Sequence, residues 1–358
     1  MRQVWITRRG EPELMEVRES TDPSPGPGAV RVRTSAAGVN FADVMIRLGL
    51  YPDAPSLPMV PGYEVSGIVD AVGDGVPDDR LGERVLAMCR FGGYGDVVCV
   101  PSRSAYALPP SLSLAEAAAL PVNYLTAYQM LEIMAPPREG ETVLIHGAAG
   151  GVGLAAVELA RSRGARILGS ASPSKYDFLR ERGVDFCLDS RQRRFAADVR
   201  AATGGRGVDI ALEPRHGGWI RESYAALAPG GRLVLFGFAD AARSKRGGRF
   251  AALRTLAGVP WLGLNPIRLM NDNKGVLGVN LGRMWGEQER IDAWMKDLLA
   301  RAEAGRVRPW VDRRFALADA AGAHHYLQDR RNRGKVLLVS EAAVSEGLID
   351  PPTGEAPA

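Results

Sequence analysis

The sequence predicts an α/β protein that combines a doubly wound parallel sheet domain with a second, β-rich domain. Between residues 143 and 236, short apolar runs typical of buried strands alternate with runs of helical spacing, and glycines cluster after the first strand. Before residue 121, short runs of alternating character are separated by Gly, Pro and Asp. Alternating strands and helices indicate a parallel sheet covered on both faces, whereas closely spaced short strands indicate a barrel or sandwich.

The β-rich part extends from Met1 to about Pro121. Ser113 and Glu116 have the spacing of a capping box, which predicts the start of an Ala-rich helix. A second helix is predicted over Asn123–Met134 from its apolar spacing. The predicted strands are Arg2–Thr7, Ala29–Ala37, Val65–Val72, Arg84–Met88 and Asp96–Pro101.

The parallel-sheet part follows Pro136-Pro137. Its elements are strand Val143–Ile145, helix Leu154–Arg163, strand Arg166–Gly169, helix Ser174–Arg182, strand Phe186–Leu188, helix Phe195–Thr203, strand Val208–Leu212, helix Trp219–Leu227 and strand Gly231–Phe236. The segment Arg243–Met270 departs from this alternation, with a basic opening and then an amphipathic apolar run. After it we expect strand Gly275–Leu281, helix Glu287–Glu303, helix Asp319–Gln328 and strand Gly334–Ser340, and a poorly ordered tail over 341–358.

The glycine cluster has the composition of a dinucleotide-binding turn. After the strand Thr142–Ile145, the turn contains His146, Gly147, Gly150, Gly151, Val152 and Gly153. Glycine reaches backbone angles that other residues avoid, and without a Cβ it lets a pyrophosphate approach the N–H groups of the helix's first turn. The spacing is not the strict G-x-G-x-x-G, and alone it also fits an ordinary tight turn. Its place beside the switch in strand order favours a dinucleotide site.

The end of the second predicted strand indicates which dinucleotide is bound. An NAD site usually has an acidic residue there, which holds the ribose 2′-hydroxyl. This chain has Ser170 and Ser172 instead, followed by Lys175. Two hydroxyls and a cation suit a 2′-phosphate, so the sequence favours NADPH. The alternative is that the serines cap a helix beside a solvated lysine.

Composition excludes several other kinds of partner. The net charge is +4, acidic and basic residues alternate, and no long single-sign stripe is present, so nucleic acid is not expected. Three cysteines without a C-x-x-C pair suit a reducing cytoplasm. Arg8-Arg9 is followed by Gly10-Glu-Pro-Glu rather than by an apolar region, so no export signal is expected. The apolar stretch Ala251–Met270 is interrupted by Arg and Pro, so no transmembrane segment is expected.

Several short motifs resemble those of one family. They are Val39-Asn-Phe-Ala-Asp43, Gly49-Leu-Tyr-Pro52, Pro61-Gly-Tyr-Glu-Val-Ser-Gly67, Gly82-Glu-Arg-Val85, Asn123-Tyr-Leu-Thr-Ala-Tyr128, Gly147–Gly153 and Gly334-Lys-Val-Leu-Leu338. The chain resembles a zinc-independent medium-chain dehydrogenase/reductase of the quinone oxidoreductase type, nearest to the vesicle amine transport protein-like branch. The resemblance implies a GroES-like catalytic domain made of residues 1–123 and 270–340, and a Rossmann NADPH-binding domain inserted at 124–269.

The chain also departs from relatives of that type. Zinc-dependent relatives keep a Cys near position 40 and a Gly-His-Glu motif, whereas this chain has Asn40 and Gly62-Tyr63-Glu64, so no metal is expected. Glu158 stands where quinone reductases often carry Gln. Glu213-Pro-Arg-His216 replaces a stretch resembling Asp-x-Val-Gly, which leaves the substrate class open.

The resemblance implies roles for residues outside the glycine turn. Arg191 is expected to assist at the 2′-phosphate, because Ser190 replaces a Tyr that some relatives place there. Tyr51 is expected to protonate an enolate, with Asn40 and Asp43 ordering its loop; the alternative is that its ring only packs beneath the cofactor. The nicotinamide end is expected to be lined by Asn40, Thr126, Phe236, Gly237, Phe238, Gly278, Val279, Asn280 and Asn332, each of which also has an ordinary structural explanation.

The expected function is reduction of a small, electron-poor molecule, either a quinone or an activated C=C, by NADPH. Without zinc, the acceptor carbonyl must be polarised by hydrogen bonds alone, which favours an already activated bond. One alternative is a cofactor-binding membrane-surface protein with little turnover, suggested by Arg243–Met270. Another is the same scaffold used for a non-redox biosynthetic step. A homodimer is expected through the edge strand Gly275–Leu281.

Overall fold

The structure, a computed structural model, describes residues 1–237 and 265–353. Within these residues the chain forms two compact units. The first unit contains Met1–Val122 and residues 292–353, and the second contains residues 123–237 and 265–291. The domain boundary predicted at residue 270 differs from this division. Residues 275–278 pair with the second unit's sheet and therefore remain part of that unit.

The first unit is built on a mostly antiparallel sheet of seven strands in the order β14-β15-β3-β4-β5-β7, with β6 paired to β3. Alternate residues of these strands, such as Val30, Val32 and Val65, face one buried cluster. The seven strands are β3 (Ala29–Val39), β4 (Glu64–Val72), β5 (Arg84–Met88), β6 (Val97–Pro101), β7 (Ala105–Ala107), β14 (Val311–Ala316) and β15 (Lys335–Val339). Two further strands of this unit, β1 (Arg2–Ile6) and β2 (Met15–Glu19), pair with each other in a separate antiparallel sheet. Its helices are α1 (Phe41–Arg47), α2 (Leu114–Ala119), α10 (Ala320–Gln328), α11 (Glu341–Ser345) and, from Asp292 onward, α9 (Gln288–Glu303).

The second unit is a six-stranded parallel sheet in the order β10-β9-β8-β11-β12-β13. The order reverses between β8 and β11, so the carboxyl ends of these strands mark the switch point of a doubly wound sheet. The strands are β8 (Thr142–His146), β9 (Arg166–Ala171), β10 (Phe186–Asp189), β11 (Val208–Glu213), β12 (Leu227–Leu235) and β13 (Gly275–Gly278). The helices are α4 (Gly151–Ser162), α5 (Tyr176–Glu181), α6 (Ala196–Ala202), α7 (Gly218–Ala226), α8 (Pro266–Asp272) and, from Asn123 onward, α3 (Pro121–Tyr128).

These two architectures confirm the predicted fold class, a Rossmann-type parallel sheet with a β-rich GroES-like partner. One helix differs from its prediction. The helix expected over Asn123–Met134 is α-helical only as far as Tyr128 and continues as a π-helical turn over Gln129–Met134. No helix in the described part of the chain is long and apolar enough to cross a lipid bilayer.

The carboxyl-terminal residues differ from the predicted tail. Residues 341–345 form α11, and Ala343 and Ile349 are buried in a cluster with Leu337 and Val339 of β15. The apolar positions of this segment therefore cover one face of the first unit's sheet, which the polar and Pro-rich composition concealed. Most of the segment Arg243–Met270 lies outside the described residues, as does Phe238.

Strand β13 is the last strand at its edge of the second unit's sheet. The Val279 N–H donates to the Leu235 carbonyl of β12 at 2.8 Å. Because alternate residues of a parallel strand turn their N–H groups to opposite sides, the amides of Val276 and Gly278 point away from β12. On α8, which precedes this strand, Ile267 and Met270 are more than half exposed. The edge is therefore apolar and open to pairing within the described residues.

Candidate functional site

The glycine turn joins β8 to α4 at the switch point of the second unit's sheet. Gly147 has φ +66°, a left-handed conformation that favours glycine. A Cβ on Gly153 would lie 2.3 Å from the Gly147 carbonyl oxygen, so the turn cannot close around a larger residue. Gly150 is the N-cap of α4 and, as a glycine, has no side chain with which to cap it. The turn, which also contains Gly151 and Val152, thus presents the amino end of a helix to an anion.

A chain of buried hydrogen bonds lies behind this turn. The Ser223 hydroxyl donates to Glu213 Oε2 at 2.7 Å and is 3.2 Å from His146 Nε2. Because the single hydroxyl proton of Ser223 is directed to Glu213, His146 Nε2 must be the donor to Ser223. His146 Nδ1 is then an acceptor, and the Ser170 hydroxyl, 2.9 Å away, donates to it. Burial lowers the pKa of His146 to about 4, which agrees with this neutral tautomer.

Ser170 is therefore not available to hold a phosphate, contrary to the prediction. Its hydroxyl proton is directed to His146, and its side chain is buried. From the sequence alone, the Ser170 hydroxyl would be expected to be accessible at the end of its strand. Its hydrogen-bond partner, His146, lies 24 residues earlier in the sequence, on β8. His146, which the sequence analysis placed only in the glycine turn, joins the carboxyl ends of β8 and β9 through this hydrogen bond.

Arg215 completes this cluster on the far side of Glu213. Its guanidinium forms two hydrogen bonds with the Glu213 carboxylate, at 2.7 and 3.0 Å, and lies 3.7 Å from the centre of the Trp219 ring. The pair is buried. Sequence reasoning singled out Glu213-Pro-Arg-His216 as a departure but did not assign Arg215 a role. The structure shows a buried ion pair held against an aromatic ring.

The other residues expected at the 2′-phosphate lie beyond the end of β9 and at the end of β10. The Ser172 hydroxyl is 3.3 Å from that of Ser174, and Lys175 is partly exposed in a short 3₁₀ turn. Arg191 is highly exposed, but its guanidinium bonds the Asp189 carboxylate at 2.7–3.1 Å. The sequence did not reveal this pairing, which offsets the charge that Arg191 was expected to contribute.

The residues expected at the nicotinamide end are divided between the units. In the second unit, Thr126 is buried on α3, Phe236 and Gly237 follow β12, and Val279 and Asn280 follow β13. Asn280 caps a short 3₁₀ turn, because its side-chain oxygen accepts from the Gly282 N–H at 3.0 Å. In the first unit, Asn332 is buried and its Nδ2 donates to the Gly334 carbonyl at 2.9 Å.

In the first unit, Asn40 belongs to a buried triangle with Glu64 and Lys335. The Lys335 ammonium donates to Asn40 Oδ1 at 2.7 Å and forms an ion pair with Glu64 Oε1. Asn40 Nδ2 donates to the same Glu64 oxygen at 2.8 Å and to the Gly38 carbonyl at 3.3 Å. Glu64 Oε2 accepts from the Val122 N–H at 2.7 Å. Both amide hydrogens of Asn40 are therefore used within the protein.

Asp43 holds three segments of the first unit together. Its carboxylate accepts from the Asn40 N–H at 2.8 Å, the Gly62 N–H at 3.0 Å and the Tyr94 hydroxyl at 3.2 Å. The side chain is fully buried, and burial raises its pKa to about 7. Asp43 therefore cannot contact a substrate directly, as a catalytic residue must. It supports the backbone at Asn40 and at Gly62, whereas its expected role was to order the loop of Tyr51.

Three aromatic rings lie together near this carboxylate. Tyr51 and Tyr63 have ring centres 6.2 Å apart, and Tyr63 and Phe91 have centres 5.4 Å apart. The Tyr63 hydroxyl is buried and satisfies hydrogen-bond geometry with no described residue. Burial, and then the neighbouring Tyr51, raises its pKa well above the usual value. Sequence reasoning noted Tyr63 only as a replacement for a histidine.

Comparison with known proteins identifies the family. A model of the alcohol dehydrogenase GroES-like domain matches residues 26–110, and a model of the zinc-binding dehydrogenases matches residues 182–338. The human synaptic vesicle membrane protein VAT-1 homolog is 37% identical over 328 residues, which cover 91% of this chain and 82% of the relative. This chain belongs to the VAT-1 branch of the medium-chain dehydrogenases/reductases. The family predicted from the motifs is thus confirmed.

Solved structures of other members of this family resemble the chain closely. Escherichia coli quinone oxidoreductase complexed with NADPH has a TM-score of 0.83 and 28% identity, and the match covers 95% of this chain and 100% of that one. CurK enoyl reductase has a TM-score of 0.80 and 28% identity, with 95% and 99% covered. The fold and quinone oxidoreductase-like character of this VAT-1-branch chain are therefore established.

The name of one matching family model refers to zinc, but the residues of this chain do not suit that ion. At the positions of the zinc ligands it has Asn40 and Tyr63, and Glu64 is paired with Lys335. No group of three or more His, Cys, Asp or Glu side chains within residues 1–237 and 265–353 could hold a metal ion. An amide and a phenol lack the thiolate and imidazole donors that zinc prefers.

The Lys335–Glu64 pair gives a stability prediction. Lys335→Met leaves the Glu64 carboxylate buried without its counter-ion, so we expect a loss of about 3–5 kcal/mol in the free energy of unfolding, measured by urea denaturation. The double variant Lys335→Met/Glu64→Gln should recover part of this loss, because no uncompensated charge remains. Lys296→Met, at an exposed lysine of α9, is the control and should change stability by less than about 0.5 kcal/mol. A loss below about 1 kcal/mol for Lys335→Met would contradict the prediction.

Proposed function

We propose that this chain is an NADPH-dependent reductase that transfers a hydride to a quinone or to an activated C=C bond. The observation that carries the proposal is the glycine turn that begins α4 at the switch point between β8 and β11. Because glycines allow close approach of a ligand, the turn brings the N–H groups at the start of α4 to the edge of the sheet where a doubly wound fold binds pyrophosphate. The NADPH complex of the E. coli relative and the enoyl reductase relative support the same cofactor and acceptor class.

The second unit's residues suit the cofactor in two places. The N–H groups of the first turn of α4 would hold the pyrophosphate. Lys175, with the Ser172 hydroxyl, would hold the 2′-phosphate, and Asp189 at the end of β10 is already neutralised by Arg191. When bound, NADPH supplies the hydride. The chain's own contribution is to bind and orient the cofactor.

The first unit's residues favour a flat, conjugated acceptor. The rings of Tyr51, Tyr63 and Phe91 offer an aromatic surface. Among the described residues, no group satisfies hydrogen-bond geometry with the buried Tyr63 hydroxyl, which an acceptor oxygen would bond. Since the described residues hold no group of donors that suits zinc, we expect hydrogen bonds to polarise the acceptor, which favours a quinone or enone over a simple ketone. Tyr51 would deliver the proton that an enolate needs.

The direct test of this function is cofactor and acceptor turnover. We expect NADPH fluorescence to change on binding, and NADPH to be consumed with 1,4-naphthoquinone or with a member of an enone panel. Binding without consumption across both acceptor sets would favour a non-redox role. Co-sedimentation with liposomes would favour the alternative membrane-surface role, which the word "membrane" in the VAT-1 relatives' name suggests. We also propose a cytoplasmic location, since all three cysteines are free thiols.

The 2′-phosphate assignment predicts a cofactor-selective variant. Lys175→Ala should weaken NADPH binding roughly ten- to a hundredfold and leave NADH binding nearly unchanged, because one charge-assisted phosphate contact is worth about 1.5–3 kcal/mol. The measurement is fluorescence titration with each cofactor. Arg161→Ala is the control, because that cation lies at the opposite end of α4 from the glycine turn. Equal losses for both cofactors, or a wild type that prefers NADH, would refute the assignment.

The proton-donor assignment predicts an acceptor-selective variant. Tyr51→Phe should slow enone reduction roughly a hundredfold, because the enolate loses its proton donor, and should spare quinone reduction, because a reduced quinone takes protons from water. Steady-state kinetics with one acceptor of each kind measure the difference. Unchanged enone turnover would leave Tyr51 as packing.

We also propose a homodimer in which β13 pairs with its symmetry mate. The outward amides are those of Val276 and Gly278, so Gly278→Pro should produce a monomer by removing one donor without a clash, since the space around Gly278 is open. Light scattering at micromolar concentration measures the mass. Gly278→Ala keeps the amide and should remain dimeric. Val279→Pro is unsuitable, because it breaks the bond to Leu235 inside the sheet. A monomeric wild type would exclude the interface.

A further inference from the structure

Asp43 and Arg47 lie four residues apart on α1, a spacing at which opposite charges usually meet directly. In the described part of the chain they are joined instead through two side chains from other elements. Arg47 Nε is 3.3 Å from His324 Nδ1, His324 Nε2 is 3.2 Å from the Tyr94 hydroxyl, and Tyr94 is 3.2 Å from Asp43 Oδ2. All four side chains are fully buried.

Asp43, Tyr94, His324 and Arg47 form a hydrogen-bond series. The direction of each of its hydrogen bonds is determined by the two end residues, Arg47 and Asp43. A guanidinium only donates and a carboxylate only accepts. Arg47 therefore donates to His324 Nδ1, His324 Nε2 donates to Tyr94, and the Tyr94 hydroxyl donates to Asp43. Burial lowers the pKa of His324 well below its usual value, which agrees with the neutral tautomer that this order needs.

The arrangement around Asp43 requires its ionised form. Its three partners, the Asn40 N–H, the Gly62 N–H and the Tyr94 hydroxyl, all act as donors. A protonated Asp43 would bring a fourth donor into this set, so at least one hydrogen bond would be lost. The titratable and charged side chains around it are Tyr94, Tyr63, Cys89 and Lys335, with Glu64 beyond Asn40 and with His324 and Arg47 beyond Tyr94.

Stability alone does not account for this set of buried groups. The Arg47 side chain extends from α1 and donates to the Gly10 carbonyl and to Gln328, so its charge is enclosed by the fold. Apolar side chains of similar volume usually fill such a space at lower free energy than buried charges. What the charges add here is a fixed orientation of the carboxylate.

We propose that Tyr94, His324 and Arg47 are positioning residues that fix the ionised Asp43 carboxylate, and through it the Asn40 backbone and the Gly62 turn that places Tyr63 beside Tyr51. The inference rests on the proposed reductase function, because acceptor reduction is how the positioning is detected. It adds a pH dependence to that function. Acceptor reduction requires ionised Asp43, whose pKa burial raises to about 7, so the rate falls as pH drops through neutrality.

The first test is the Tyr94→Phe variant. Loss of one hydrogen bond to a charged acceptor raises the pKa of that acceptor, so the acidic limb of the kcat/KM profile should move up by about one pH unit. At pH 6 this corresponds to a roughly tenfold lower kcat/KM, while well above pH 8 the variant should approach the wild type. NADPH affinity should not change, because none of the residues of the hydrogen-bond series lies in the glycine turn. An unmoved acidic limb would overturn the proposal.

Two further sets of variants separate positioning from simple packing. Tyr326→Phe removes a phenol that donates to Asp312 at 3.0 Å, on the same helix as His324 but outside the chain, and should leave the profile in place. His324→Gln keeps a donor that can reach Tyr94 and should retain more of the wild-type limb than His324→Leu. If the two His324 variants behave alike, or if Tyr326→Phe shifts the acidic limb of the kcat/KM profile as Tyr94→Phe does, positioning by the hydrogen-bond series is refuted. The His324 pair also carries the test if Tyr94→Phe does not fold.

The second test does not depend on turnover. With ¹³C-labelled aspartate in the full-length protein, the Asp43 carboxyl is the signal lost in Asp43→Asn. We expect it to titrate near neutral pH in the wild type, to move upward in Tyr94→Phe and to stay in place in Tyr326→Phe. A titration that Tyr94→Phe leaves unchanged would overturn the inference even if the enzyme reduces quinones. If no acceptor is reduced, the proposed function fails. This titration still decides whether Tyr94, His324 and Arg47 fix the Asp43 carboxylate.

Discussion

The buried ion pair between Lys335 and Glu64 is the interaction on which the first unit depends. It joins β15 to β4, and through Asn40 and the Val122 amide it also fixes the end of β3 and the start of α3. Neither charge has access to water, so removing one partner would leave the other uncompensated. These segments therefore hold one arrangement, and a lysine ammonium supplies a fixed positive charge beside Asn40, where zinc-dependent relatives keep a metal ligand.

The second unit reaches the same rigidity by a different route. Its glycine turn offers backbone N–H groups, whose positions follow from Gly147 and Gly153 and from the end of β8. His146 directly precedes that turn, and its two ring nitrogens bond Ser170 and Ser223, so the strand end cannot rotate. One unit thus positions charged side chains, and the other positions main-chain dipoles. Both depend on neutral, buried histidines whose tautomers follow from their partners.

The sequence predicted what depends on local pattern. Strands such as Val208–Leu212 and the glycine turn follow from periodicity and from the backbone freedom of glycine, and the structure contains them. Side-chain partners were not predictable in this way. The sequence suggests an exposed hydroxyl at Ser170, but in the structure this hydroxyl bonds His146. It likewise suggests a free cation at Arg191, but the guanidinium is paired with Asp189. His324 and Tyr94 meet across 230 residues, a distance at which a single sequence carries no pairing signal.

The place of β15 in the first unit has a consequence for synthesis on the ribosome. This strand lies between β14 and β3, yet Lys335 is 295 residues beyond Asn40, and the whole second unit is made in between. Domains fold as units as the chain emerges, so the parallel sheet can close while the earlier sheet still lacks β14 and β15. Until the last strand arrives, Glu64 has no counter-ion and β3 has an open edge. A nascent chain should therefore be most exposed to wrong strand pairing just before β15 leaves the ribosome.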